Sequence, residues 1–521
     1  MNPIRSHILE KNGEGSMLVF FNKEKSNNAK KQVASYRSIE EVLKHASQSS
    51  DYVKREETSL AHEQLTIHFF ESMIDMQKLP SHVLHPLTGI RTYTFEILKE
   101  KLYTTEMKEC NTALEADEGL LRGSLLVQFY ENGQKKNVLV DLSYQEDREV
   151  TVPEIEFSVF GSKESFIESV EVNMNLIRKR IPSSDLYMKK YTVGTHSKTE
   201  VYIVYCQSIA NEENVQTVTQ RIRDLEIDQI QDASMLLNVI EDRRSIFPQI
   251  IDTERPDRTA GALLEGKVAL LTNGSPQALI MPVTALEFLS AFEDYFLSWQ
   301  AASALRLVRL MAVFFSIFAT PLYVAILTYH PEIIPQDLFA SLVVSRTAVP
   351  FPPIMEALFL EVTIELLREA GARLPTKVGQ TIGIVGGIVI GTAAVEAGLT
   401  SNVLLIIVAL AALASFTIPI YRMGTTIRLA RFPFIIAAQV WGLIAIALVS
   451  VLFLSHLLSL TSLGRPYMAP LYPFSLHDMK DSILRLPQPM QNLRPRFLQT
   501  KEKERLIKKR PEPKKDIDDG F

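Results

Sequence analysis

The chain has 521 residues, a net charge of −5 and two cysteines, Cys110 and Cys206. That charge argues against a nucleic-acid footprint over the whole chain. Two thiols so far apart imply no disulfide framework, which leaves buried reduced cysteines, and the first residues hold no apolar core of signal-peptide length, so no cleaved leader is expected.

Residues 1–57 are polar, with runs such as NKEKSNNAKK and SQSSDYVKREE, and read as a flexible arm with at most a short helix near Ser38–His45. Two soluble α/β subdomains are expected next, at 58–150 and 185–290. Each contains Leu-Leu-x-Gly, an apolar strand, a turn with Asn-Gly and a second apolar strand: Leu120–Ser143 in the first, Leu263–Thr284 in the second. That layout is a hairpin signature. Upstream of each lies another apolar strand, Leu65–Ile74 or Val201–Ala210. The shared layout raises an ancient duplication.

No catalytic constellation emerges. The chain has no phosphate-binding Gly-rich loop with Gly-Lys-Ser/Thr, no His-Glu-x-x-His, no Gly-x-Ser-x-Gly elbow and no Cys-x-x-Cys. The reading is therefore not an enzyme, with no cofactor and no metal. His68 and His85 fall in or near apolar elements and are expected to be structural. The charge-dense TERPDR (Thr253–Arg258) reads either as a site or as a salt-bridged loop before the second hairpin.

From residue 300 to 464 the composition changes to membrane grade. Leu310–Tyr329, Val378–Val395, Ala397–Tyr421 and Phe432–Gly464 carry no charge and are strongly apolar. About 20 such residues span a bilayer core as a helix. The fold class is thus an α+β soluble N-terminal half of two α/β subdomains, followed by an all-α polytopic membrane domain of about four to five helices. Pro321 should kink the first span, and Arg306 and Arg309 at its start favour the cytoplasmic side.

Between these runs, Pro352 and Pro353 suit the start of a helix that carries Glu361, Glu365 and Glu369 four apart, with Arg368 on the same side. Two readings stand. The helix lies on the membrane surface with its carboxylates in water, or it is inserted and the stripe lines a cation path. Glu396 either reaches the headgroups or joins that path. Gly379, Gly383, Gly387 and Gly391 recur every fourth residue in an apolar helix. In lipid that spacing permits close backbone approach, so the glycines mark a helix-packing face.

The charged tail, 465–521, holds 13 Lys/Arg against 8 Asp/Glu, which favours the cytoplasm. Five spans would put it outside. Either the apolar run of 33 residues at 432–464 turns back, or the Glu361 helix does not cross.

FPQIIDTERPDR, LLEGKVALLTNGSP, EDYF, VPFPPIMEALFLEVTIELLREAGARLP and IVGGIVIGTAAVEAGL together resemble the A subunit of GerA-type spore germinant receptors, over roughly Asp51 to Tyr472. The resemblance implies a multi-pass receptor in the inner membrane of a bacterial endospore, its N-terminal soluble half cytoplasmic. It implies assembly with a polytopic B subunit and a C lipoprotein, nutrient sensing, and early ion release. A homo-oligomer of the A subunit is expected around any path. The rival class is a secondary transporter for a small nutrient or ion, since glycine-interrupted helices and intramembrane acids also mark transporters.

Overall fold

The computed structural model describes residues 36–505, apart from 61, 103–106, 144–152, 154–155, 157–159, 375–385, 388 and 488–489. The soluble half is built on two antiparallel sheets. The first holds β1 (Tyr52–Thr58), β2 (Gln64–Phe70), β3 (Met107–Glu109), β4 (Ser124–Glu131) and β5 (Gln134–Asp141), in the order β1-β2-β4-β5-β3. The second holds β6 (Leu186–Val193), β7 (Thr199–Cys206), β8 (Ile251–Thr253), β9 (Val268–Thr272) and β10 (Ala278–Met281), in the order β6-β7-β9-β10-β8. The two orders are the same topology, as the shared sequence layout suggests.

The turn between β4 and β5 shows why the hairpin was readable. Glu131 pairs with Gln134, and Asn132 and Gly133 both take positive φ, 52° and 77°. That is the two-residue turn whose twist suits a hairpin and which Asn-Gly favours. Strand alternation then sends Leu65, Ile67, Phe69, Leu125, Val127, Phe129, Val138 and Val140 into one core. The second sheet is covered on both faces. Helices Glu212–Arg223 and Ala233–Ile240 pack on Val201, Ile203 and Leu270, and helices Val170–Arg180 and Pro256–Glu265 pack on Met188, Val204 and Leu271.

The short helix expected near Ser38–His45 is present, but the arm expected to run to residue 57 gives way to β1 at Tyr52. Residues 39–46 form a helix capped by Ser38, whose Oγ accepts from the Glu41 N–H at 3.3 Å, and β1 pairs along the whole of β2. β1 escaped notice because it is an edge strand, with Lys54, Arg55 and Glu56 in water. Residues 1–35 of that arm lie outside the described residues. His68 is structural: it bonds Tyr52 at 2.7 Å and Gln128 at 3.2 Å, and burial pulls its pKa down to about 4. Both thiols are free and buried.

A buried ion pair locks the sheets together. Arg178 donates to both carboxylate oxygens of Asp51 at 2.7 Å, 127 residues apart in sequence, and both side chains are almost wholly out of water.

The helical half starts at Trp299–Tyr329, with Pro321 inside it, and ends in Tyr421–Ser459. Among the described residues these two are long and apolar enough to cross a membrane; Asn402–Phe416 is apolar but shorter. The 39-residue helix is not straight. Trp441 and Gly442 leave helical geometry, Gly442 at φ 59°, ψ −135°. The rings of Phe434 and Phe453 lie 5.2 Å apart, whereas a straight helix would separate them by about 28 Å. The run therefore doubles back into a hairpin of helices, the first of the two alternatives left by the sequence.

Both ends of that hairpin return to the second sheet. Arg422 pairs with Asp252 at 3.2 Å, and His456 bonds Ser245 at 2.8 Å. Asp242 then accepts from the backbone N–H groups of Leu463 and Gly464 at 3.0 and 2.8 Å. The tail, expected only as a charged segment, is folded on the soluble half as far as Arg505. Arg465 bonds Asn214 at 3.0 Å and Lys501 pairs with Glu212 at 3.1 Å.

Candidate functional site: a charged seam in the helical half

Helix Pro353–Arg373 begins with Pro353 in its first turn, as expected. Its acids do not form one open stripe. They meet basic or hydroxyl side chains at successive levels. At the first level Glu356, fully buried, accepts from Arg346 at 2.8 Å and from the backbone N–H of Ser401 at 3.0 Å, while Ser401 bonds Tyr323 at 3.0 Å.

One turn on, Glu361 pairs with Arg431 of the hairpin's first arm, each only 2% exposed. Thr320 of the first long helix donates to Glu361 at 2.8 Å, and Arg431 donates to Ser316 at 2.9 Å. Three helices thus share one polar knot. Charge buried among apolar helices demands such pairing, because an isolated ion there costs several kcal/mol.

Glu365 is half-buried, paired with Arg368 and 3.6 Å from Arg428 Nε. Glu369 is exposed and bonded to Arg373 at 2.8 Å. Glu396 is exposed at the end of the glycine run. The structure thus brings Glu361 and Glu365 to the hairpin's arginines and leaves Glu369 and Glu396 on the outside.

Gly379 and Gly383 lie outside the described residues. A Cβ at Gly391 would touch Leu405 at 3.6 Å, an ordinary contact, and one at Gly387 would meet nothing within 4 Å among the described residues. The described part of the glycine face therefore has room within this chain.

Sequence reading missed the partners. Neither Arg431 nor Arg346, Ser316 or Thr320 stands out as a partner in the sequence. An arginine one residue before a long charge-free run, in a chain with an acidic apolar helix, is the signal that could have paired them. EDYF conceals a second knot. Asp294 is fully buried and accepts from Arg309 at 2.7 and 2.8 Å and from Arg306 at 3.2 Å. The two arginines expected to mark the membrane boundary are therefore also the clamp that fixes the first long helix to the soluble half.

The family described as Bacillus/Clostridium GerA spore germination protein matches residues 38–497. Spore germination protein GerQA of Bacillus cereus is 46% identical over 476 residues, covering 91% of this chain and 94% of that protein. Spore germination protein KA of Bacillus subtilis (strain 168) is 35% identical over 500 residues, covering 93% and 92%. Among solved structures, the N-terminal domain of the A subunit of the Bacillus megaterium spore germinant receptor GerK3 aligns with 46% of this chain and 91% of that one, at 23% identity and a TM-score of 0.34. With a family match across nearly the whole chain and relatives of full length, this protein belongs to the GerA family of spore germination proteins.

Proposed function

We propose that this chain is the A subunit of a nutrient-sensing spore germinant receptor and turns nutrient binding into germination by forming, as an oligomer, a ligand-gated cation path in the spore inner membrane. It would act with a polytopic B subunit and a C lipoprotein. The observation that carries the reading is the two-faced helix Pro353–Arg373. Its Glu361 and Glu365 turn to the hairpin arginines, while Met355, Phe359, Val362 and Leu366 stay exposed along one side. Spacings of four, three and four put those apolar residues on one face. One helix cannot enclose water, so copies of this face would surround the path. The open position at Gly387 offers a second contact between copies.

The chain enters and leaves the helical half on the second sheet, so crossings come in pairs in this reading. The first long helix and the two arms of the hairpin are among the crossings, with the soluble half and the tail together on the cytoplasmic side. Glu365, Glu369 and Glu396 are the carboxylates left near solvent to favour cations.

Glu365→Gln tests this. Glutamine keeps shape and polarity, and a half-exposed pair contributes only roughly 0–1 kcal/mol, so assembly should persist. Cation-over-anion preference, read as reversal potential across a salt gradient, should fall. Unchanged current and selectivity with normal expression would remove this helix from the path.

A further inference from the structure

A cavity of about 520 Å3 opens where three parts of the chain meet: the helix Pro256–Glu265, the Phe292–Phe296 turn ahead of the first long helix, and the returning tail. Its volume lies within the range of small-molecule pockets, roughly 300–1,000 Å3. Ile280, Phe292, Met490 and Phe497 give it apolar walls. Three cations on the wall are matched: Arg258 by Glu156 at 2.7 Å, Lys267 by Glu287, and Arg505 by Glu265.

Arg485 is not. It is buried, its Nη atoms donate to the backbone carbonyls of Asp294, Tyr295 and Leu297, and it has no carboxylate within ion-pair distance among the described residues. Its guanidinium stands 5.0 Å from the Tyr295 ring centroid. Arg306 stands 5.9 Å from the same ring and uses Nε on Asp294 and Nη1 on Asp481, which leaves Nη2 buried without a partner among the described residues. Burial also raises the pKa of the Glu287 and Asp481 carboxyls. The wall thus combines a guanidinium without a carboxylate partner and an apolar floor, with Arg306 beside the Tyr295 ring behind it.

We propose that this cavity binds a small organic carboxylate with an apolar body, its carboxylate at Arg485 and its body against Phe292, Ile280 and Met490. The fork of a guanidinium matches a planar carboxylate, and hydrogen bonds to an ionised group are the strong ones. The bound molecule would touch the second sheet, the tail and the entry to the first long helix at once, tying together the parts that the Asp294 clamp already joins.

The full-length protein in nanodiscs, titrated calorimetrically with phenylacetate, tests this, with phenethylamine as the cation of similar body. Phenylacetate should bind saturably, and phenethylamine should not. Arg485→Gln should weaken binding at least about tenfold. Met490→Trp should abolish it, because Met490 is exposed at the cavity and an indole there fills space without touching a core. Met490→Trp also keeps the test readable should Arg485→Gln lose its fold. Absence of saturable phenylacetate binding, equal binding of phenethylamine, or wild-type affinity in Met490→Trp would each overturn the proposal.

Discussion

Gly442→Val should destabilise the helical half by about 3 kcal/mol or more and break the fold-back of the 421–459 helix. At φ 59° and ψ −135° the backbone sits outside the regions open to residues with a Cβ, a strain of order 1–3 kcal/mol. The space is occupied as well. A Cβ would lie 3.1 Å from two side-chain atoms of Tyr329 and 3.2 Å from His330 Nε2. Valine must therefore push apart the end of the first long helix and the hairpin tip, adding an overpacking cost of about 1–3 kcal/mol. Tyr329 also donates to the carbonyls of Gln439 and Val440 at 2.7 and 2.9 Å, capping groups that the break exposes. The measurement is thermal unfolding in detergent, with cysteine labelling of the tail in sealed vesicles. A wild-type melting temperature and wild-type labelling would mean that the turn at Trp441–Gly442 is not what folds the run back.

Glu361→Leu should cost about 3–5 kcal/mol, because it strands the Arg431 charge inside the helices with Ser316 as its remaining hydrogen-bond partner among the described residues. Arg431→Met should cost a similar amount by stranding Glu361 beside Thr320. The double variant should be much less damaged than the sum, since two apolar residues need no partner there. Half or more of the combined loss is expected to return. Glu365→Gln, whose partner is half-exposed, should change stability by roughly 1 kcal/mol or less. Chemical or thermal unfolding of the four chains gives the coupling directly. Additive losses would show that Glu361 and Arg431 do not act as a pair. The same pairing explains why Glu361 is a poor position for probing conduction: its removal acts first on packing.

The soluble half was legible where local chemistry decides structure. Asn132-Gly133 demands a tight turn, Leu65–Phe70 alternates about a buried face, and both appear as expected. β1 was not legible, because Lys54, Arg55, Glu56 and Glu57 on a solvated edge carry no apolar period. The apolar runs announced membrane-grade helices, yet their charge pairing is written in contacts between Glu361 and Arg431, 70 residues apart, which no local pattern records. The fold-back of 432–464 hung on a single glycine within an apolar stretch, where one glycine ordinarily signals little. The tail looked like a solvated charge run because its partners, Asn214, Glu212 and Glu265, lie more than 200 residues upstream.

The most direct test of the cation path is the electrical behaviour of the purified wild-type chain in sealed liposomes under a salt gradient. A steady current, linear in voltage, is expected, with a reversal potential displaced toward the cation equilibrium value. Saturable uptake of a solute driven by an ion gradient, with no such current, would contradict it and place the protein among carriers.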